Sequence, residues 1–243
     1  MSKTPQGKAT HELSRKEMKA PDRFQVAVSQ GTEWLGRRRK AVAVGAAVVV
    51  GALVLAVAGS SWKESRQAKA GALLAQAVDA AAGQISPVPL PNSEHPVYRS
   101  AEERAHAVIE AAGKVREAYG GTVAAATAAL LQGGAYMDLG EWDRAIAAYQ
   151  AFLSGAPGDD SLRFAALDGL ARAQERKGNL EAAMSTYATA SEIPSFRDRA
   201  LLERARLLGA AGKKDEAKKV LESIPPTSPL RGEAQERLAR LGE

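Results

Sequence analysis

The chain has 243 residues, a mass of 25.5 kDa, a formal net charge of +5 and no cysteine. The absence of cysteine excludes disulfide frameworks, thiolate zinc sites, cysteine nucleophiles and lipid-modified cysteine anchors. Alanine, leucine and charged residues dominate after residue 60, whereas isoleucine, phenylalanine and tyrosine are scarce. This composition predicts an all-α protein without a large β-sheet.

The positive charge is concentrated near the N-terminus. Residues 1–40 contain ten lysines or arginines and four acidic residues, whereas the rest of the chain contains 23 basic and 24 acidic residues. A protein that binds nucleic acid needs a basic surface for the phosphates, and the larger part of this chain lacks the charge for one. The sequence therefore predicts no nucleic-acid partner.

An uninterrupted apolar segment, AVAVGAAVVVGALVLAVAG, occupies residues 41–59. As a helix it spans about 28 Å, close to the roughly 30 Å hydrocarbon core of a bilayer. A soluble helix that is apolar on all sides needs a large domain around it, and the polar residues in front cannot supply one. We therefore predict a single transmembrane helix at 41–59, with Trp34 and Trp62 at the two headgroup zones.

The orientation of this helix is predicted from the four consecutive basic residues at 37–40. Such clusters stay on the cytoplasmic side, so residues 60–243 are predicted to be exported. Residues 1–40 form a cytoplasmic basic tail that is predicted to be largely disordered. A short helix capped by Asp22 and lying along the inner membrane surface is the alternative for part of this tail.

A cleaved signal peptide is the competing interpretation of the apolar segment. Residues 56–58, Ala-Val-Ala, have the small-x-small form of a cleavage site after Ala58. The leader and the apolar run are both longer than those of an ordinary signal peptide, which favours an uncleaved anchor.

Residues 60–99 are predicted to form a membrane-proximal helix followed by a linker. The helix extends from Trp62 to about Ala82 and either continues the membrane helix or packs on the domain after it. Prolines then prevent a helix and favour an extended chain. They are Pro87, Pro89, Pro91 and Pro96.

The domain predicted at 100–243 begins with a capping box. Ser100 is the predicted N-cap and Glu103 lies three residues later. The helix is predicted to end near Tyr119, because two glycines follow.

A repeat begins near Ala126, and its first copy ends near Asp159. Small and large residues occupy characteristic positions in this copy, namely Gly133, Tyr136, Gly140, Ala145, Tyr149, Phe152 and Pro157. This spacing resembles a tetratricopeptide repeat (TPR), in which small residues let two helices approach and aromatic residues fill the gaps.

Two further copies follow. The second contains Leu167, Leu170, Ala171, Gly178, Ala183, Tyr187 and Ala190, and the third contains Leu201, Ala205, Leu208, Gly212, Ala217, Leu221 and Ile224. Gly178 and Gly212 are 34 residues apart, which is the TPR period. Gln132 and Gln174 depart from the family pattern, since they replace a leucine and an aromatic residue. The resemblance implies an α-solenoid of about three helical hairpins, with a capping helix at about 229–241.

TPR arrays line a concave groove with the first helix of each repeat. Carrying the family's groove positions onto this sequence gives Leu130, Met137, Asp168, Arg172, Glu175, Arg176, Arg199, Leu202 and Arg206. The four arginines would hold a carboxylate or an acidic peptide, and the three apolar residues would add contact. Alternatively, the arginines are solvated or paired with acidic neighbours on the helices.

No catalytic constellation is recognisable in the sequence. The three histidines, His11, His95 and His106, are scattered, and no metalloprotease, nucleophile-elbow or phosphate-loop motif occurs. Asp159 and Asp160 are predicted to cap a helix rather than bind a metal. We therefore predict a non-enzymatic protein with no cofactor, no metal and no small-molecule substrate.

The order of tail, span, alanine-rich helix, linker and TPR-like hairpins resembles the YfgM-type ancillary subunits of the bacterial Sec translocon. The resemblance covers residues from about 20 to 240 and depends on architecture. It implies a bacterial inner-membrane protein whose periplasmic domain holds chaperones or client polypeptides near the translocon. A scaffold in envelope assembly, secretion or motility is the alternative, and an enzyme is the third class.

Overall fold

The structure is a computed structural model that describes residues 23–88, 90–155 and 158–242. Within the first helix, side chains are described from Gly51 onward, except for Leu53. Residues 1–22 of the predicted cytoplasmic tail lie outside the described residues, whereas residues 23–40, predicted as part of a largely disordered tail, are helical.

The described residues form nine α-helices and two short strands. The helices are α1 Arg23–Ala82, α2 Ala101–Tyr119, α3 Val123–Asp138, α4 Trp142–Gly155, α5 Asp160–Arg176, α6 Leu180–Ala190, α7 Arg197–Ala210, α8 Lys214–Glu222 and α9 Arg231–Gly242. The strands are β1 Gln84–Ile85 and β2 Val97–Tyr98. The all-α prediction is confirmed, and α3 to α8 supply the three predicted hairpins, with α9 after them.

A search of the described residues finds no helix that is both long and apolar enough to cross a membrane. The span predicted at 41–59 includes residues 41–50 and Leu53, whose side chains are outside the description. The span therefore stays a prediction.

The chain divides into two compact units, Met1–Ser61 and Trp62–Glu243. The second unit begins well before residue 100, where the sequence analysis placed the start of the folded domain. Its first helical segment is part of the core, because Ala70 and Ala77 are fully buried against residues of α2 and α3. The boundary predicted at residue 100 therefore does not separate the helix after Trp62 from the repeats.

The segment predicted as an extended linker contains a small parallel sheet. Gln84 pairs with Val97 and Ile85 pairs with Tyr98. The ring of Tyr98 lies where a side chain on Gly83 would be, only 2.3 Å from the position of a Cβ atom there. The loop therefore returns to α1 through backbone hydrogen bonds and a close ring contact, neither of which the prolines indicate.

The start of α2 confirms Ser100 as the N-cap, whereas the predicted box is closed on Arg99, one residue before the cap. Ser100 Oγ accepts a hydrogen bond from the backbone N–H of Glu103 at 3.0 Å, and Glu103 Oε2 accepts one from the N–H of Arg99 at 2.7 Å. The first contact satisfies a backbone donor that a helix start leaves unpaired, and the second holds the residue before the cap. Asp159 caps α5 in the same way, accepting from the N–H of Leu162 at 2.9 Å.

The three repeat hairpins turn at glycines with left-handed backbone. Gly140, Gly178 and Gly212 have φ angles of +72°, +87° and +76°. At Gly178, its N–H donates to the carbonyl of Glu175 and the next N–H donates to Gln174, both at 2.8 Å. This is the Schellman arrangement, which ends a helix and reverses the chain.

The core of the first hairpin is organised around Tyr149, which is 6% exposed. A Cβ atom on Gly133 of α3 would approach its ring within 2.6 Å, and one on Gly169 of α5 within 2.3 Å. Both positions therefore need glycine so that the helices on either side can close on the ring. Gly133 was predicted from the repeat pattern, whereas Gly169 was not.

Both glutamines that depart from the TPR pattern make hydrogen bonds. Gln132 is 5% exposed, donates to the carbonyl of Ile109 at 3.0 Å and accepts from Arg116 at 2.5 Å. Gln174 accepts from the hydroxyl of Thr186 at 2.8 Å. A buried polar group is tolerated when it is bonded, so these residues replace apolar packing with specific pairs.

We expect Gly178→Ala to lower the free energy of unfolding by about 1 kcal/mol, because alanine is strained in the left-handed conformation. No atom lies within 4 Å of the added Cβ, so the effect comes from the backbone alone. Gly134→Ala is the matched control: its Cβ also meets nothing within 4 Å, and inside a helix it should stabilise by about 0.5 kcal/mol. Urea unfolding of both variants tests this, and equal shifts would contradict it.

Candidate functional site

The first cluster of predicted groove residues lies on α5 and involves Tyr187 of α6. Asp168 forms an ion pair with Arg172 at 2.9 Å, one helical turn away. The Tyr187 hydroxyl donates to the other oxygen of Asp168 at 2.9 Å. The Tyr187 side chain is fully buried, whereas the Arg172 side chain is 51% exposed. The cluster therefore connects the hairpin core to the surface.

A second cluster joins α5 to α7. Arg206 donates two hydrogen bonds to the carboxylate of Glu175, at 2.8 and 2.7 Å, in bidentate geometry. Its Nε atom donates to Glu203 at 2.8 Å. One guanidinium thus holds two carboxylates from successive repeats, and bidentate pairs of this kind are among the stronger surface contacts.

The same cluster extends to α9 through Arg237. This residue donates to the carbonyl of Leu202 at 2.8 Å, and it pairs with Glu233 at 2.7 Å and Glu203 at 3.5 Å. Glu203 and Arg237 are 34 residues apart, one repeat period. The helix α9 therefore lies against α7 as the first helix of a following repeat would.

These contacts shift several pKa values. Hydrogen bonds from Arg206 hold the pKa of Glu175 below its usual value, and those to Glu175 and Glu203 raise the pKa of Arg206. Burial raises the pKa of Tyr187, and the neighbouring Asp168 raises it further. The Glu175 and Arg206 side chains are therefore charged at neutral pH, and the Tyr187 hydroxyl is a hydrogen-bond donor.

The structure corrects one of the predicted groove residues. Leu202 is only 3% exposed and belongs to a core cluster with Leu221, Ile224 and Ala234. Packing of α8 and α9 against α7 covers this side chain, so it offers no apolar contact to a partner. The repeat pattern places Leu202 on a helix face that would be open only without α9.

The remaining predicted residues occupy different surroundings. Leu130 and Met137 are half-buried against the cluster around Tyr149. Arg176 is exposed and helps lower the pKa of Glu175, so its charge acts on the second cluster. Arg199 is exposed and forms no ion pair within the part of the chain that the structure describes.

Sequence reasoning did not assign Tyr187, Glu203 or Arg237 to these two clusters. Two of them carried a usable signal, because Glu203 lies three residues before Arg206 and Glu233 lies four before Arg237. Such spacings place opposite charges side by side on a helix. The bond from Tyr187 to Asp168 crosses between helices and has no local signal.

A cavity of about 370 Å³ adjoins the second cluster, between α7, α8 and α9. Its lining combines the guanidinium groups of Arg206 and Arg237 with the apolar side chains of Leu221 and Leu241. A Cβ atom on Gly209 would lie 3.3 Å from Leu241 in this lining, so the leucine side chain would have to shift slightly to admit one. In the described residues no three or more histidine, aspartate or glutamate side chains are placed to hold a metal ion.

A comparison with protein-family models matches residues 32–224 to the tetratricopeptide repeat-like domain. The chain belongs to this family. A search of curated proteins finds no match. Domains of the TPR-like family are generally non-catalytic modules for protein interaction. The TPR-like domain of this chain is therefore a protein-interaction scaffold.

We expect Glu175→Gln to lower the free energy of unfolding by about 1 kcal/mol at pH 7, because it removes a charged partner of Arg206. The pKa of Glu175 is lowered in the folded state, so this contribution is complete above the unfolded value of about 4.3 and is lost as the pH falls through the folded value.

Urea unfolding of the parent and the variant at pH 7 and pH 3 measures this difference. Glu192→Gln is the control, since Glu192 is exposed and forms no described ion pair. A cost at Glu175 that stays the same at both pH values would show that the carboxylate charge is not responsible.

Proposed function

We propose that the protein is a non-enzymatic, membrane-anchored scaffold that tethers chaperones or client polypeptides near the Sec translocon, on the periplasmic side of the bacterial inner membrane. The observation that supports this best is the charged surface on α5, α7 and α9 of a TPR-like array. Its charged groups are accessible and specifically arranged, as recognition of a protein segment requires.

The surface favours partners that carry carboxylates. Arg172 and Arg206 are 51% and 40% exposed in their side chains, so each can exchange an internal carboxylate for one from a partner. Exposed Arg176 adds positive charge next to Glu175, and exposed Arg199 lies about two turns before Arg206 on α7. Because exchange replaces one ion pair with another, the net affinity is modest and the contact is specific rather than tight.

The proposed anchor is the apolar segment at 41–59. In the unit Met1–Ser61, the described side chains of Val54, Leu55 and Val57 are 61%, 75% and 64% exposed. A bilayer would cover such side chains, whereas water would not favour them. An anchored scaffold gains from effective concentration, since a weakly bound partner is held near the same membrane.

Photocrosslinking in intact cells tests the binding surface. A photoreactive residue at Arg172 should capture protein partners, including translocon subunits or periplasmic chaperones. The matched control is Arg163, which is exposed on α5 and lies nine positions earlier, on the opposite side of the helix. Equal labelling at the two positions would count against the proposed surface, and partners from another envelope complex would exclude the translocon role.

Extraction and topology assays test the anchor. We expect the full-length protein to stay in membranes washed with alkaline carbonate, because the apolar segment spans the bilayer. A periplasm-specific reporter fused after residue 243 should be active. Release by carbonate, or activity only of a cytoplasmic reporter, would refute the proposed anchoring and orientation.

A further inference from the structure

We propose that the end of the repeat domain formed by Trp62, Arg66 and the α2–α3 loop docks on the surface of an anionic bilayer. This inference rests on the proposed membrane anchor and adds to it a contact between the folded domain and the lipid headgroups. The occupant is a phospholipid surface rather than another protein.

The docking surface begins with an exposed aromatic side chain. Trp62 is 62% exposed, although tryptophan carries a large apolar ring. The guanidinium carbon of Arg66 lies 5.5 Å from the centre of this ring and 6.0 Å from that of Tyr119. Two aromatic rings and a cation are therefore stacked at one place, a combination suited to the headgroup zone of a membrane.

Arg66 also connects this stack to the first interhelical loop. Its Nη2 donates to the carbonyl of Gly120 at 3.1 Å, at the C-terminal end of α2. The loop after it leads to Val123, which begins α3 and is 45% exposed. This hydrogen bond holds the α2–α3 loop beside Arg66 and the two aromatic rings, so the loop and the rings lie at the same end of the domain.

Charge and chain length identify the occupant. Residues 60–69 contain Lys63, Arg66 and Lys69 but only one acidic residue, Glu64. Both lysines are exposed and complement anionic headgroups. Trp62 follows the predicted span by three residues, which is at most about 11 Å of chain, so the stack cannot be far from the bilayer.

Single-cysteine probes test the docking, because the chain has no other cysteine. The full-length Val123→Cys variant carries a fluorophore and is placed in vesicles containing phosphatidylglycerol and lipids with a headgroup nitroxide quencher. Val88→Cys is the matched control. Val88 is also an exposed valine, 60% against 45% for Val123, but it lies before α2, whose 19 residues span about 28 Å.

We expect the probe at Val123 to be quenched at least about twofold more than the probe at Val88. Attraction to the anionic headgroups acts only over about a Debye length, so it holds Val123, and not Val88, at the bilayer surface. The difference should shrink in vesicles of phosphatidylcholine alone. Arg66→Gln should reduce quenching at Val123 towards that at Val88, while resistance to carbonate is unchanged.

The outcomes separate this inference from the proposed anchor. Carbonate-resistant protein with equal quenching at both positions would overturn the docking and leave the anchor intact, whereas release by carbonate would overturn both. Unchanged quenching at Val123 in the Arg66→Gln variant would refute the role of Arg66. Quenching that depends on the ratio of protein to lipid would indicate a second copy as the occupant and so overturn the lipid assignment.

Discussion

Close approach of neighbouring helices to one aromatic ring is the constraint on which the repeat domain depends. Tyr149 of α4 lies against Gly133 of α3 and Gly169 of α5, so one ring joins a hairpin to the next repeat. The left-handed turn at Gly140 makes this possible, because it brings α4 back along α3. The charged surface follows from this packing, since stacking α5 on the first hairpin positions Asp168 and Arg172.

The helices and their turns were predictable, because repeat spacing and glycine placement are local signals. Gly178 and Gly212 predicted the turns, and Ser100 predicted the start of α2. The parallel pairing of Gln84 with Val97 was not predictable, since two residues form no recognisable strand pattern. The burial of Leu202 was also missed, because it depends on how α9 packs rather than on the repeat itself.

The sequence predicted which residues of the site share a face of the array. It did not predict how the charges of these residues pair. The repeat pattern placed Arg172 and Arg206 on one surface, but it left open whether they were free or paired. The structure shows both paired, Arg172 within its helix and Arg206 with two helices at once. Contacts between helices depend on the three-dimensional register of the repeats, which one sequence does not specify. A partner therefore meets a surface whose charges are already largely paired.

The contact between Glu175 and Arg206 also limits how such an array can be recombined. A graft that moves α5 and α6 as one hairpin keeps Gln174 with Thr186, because both residues travel together. The same graft separates Glu175 from the guanidinium group of Arg206 on α7. It also separates Tyr149 on α4 from Gly169, the residue that leaves room for the tyrosine ring. A segment that runs from α4 to α7 keeps all three contacts, so repeat shuffling should move these four helices together.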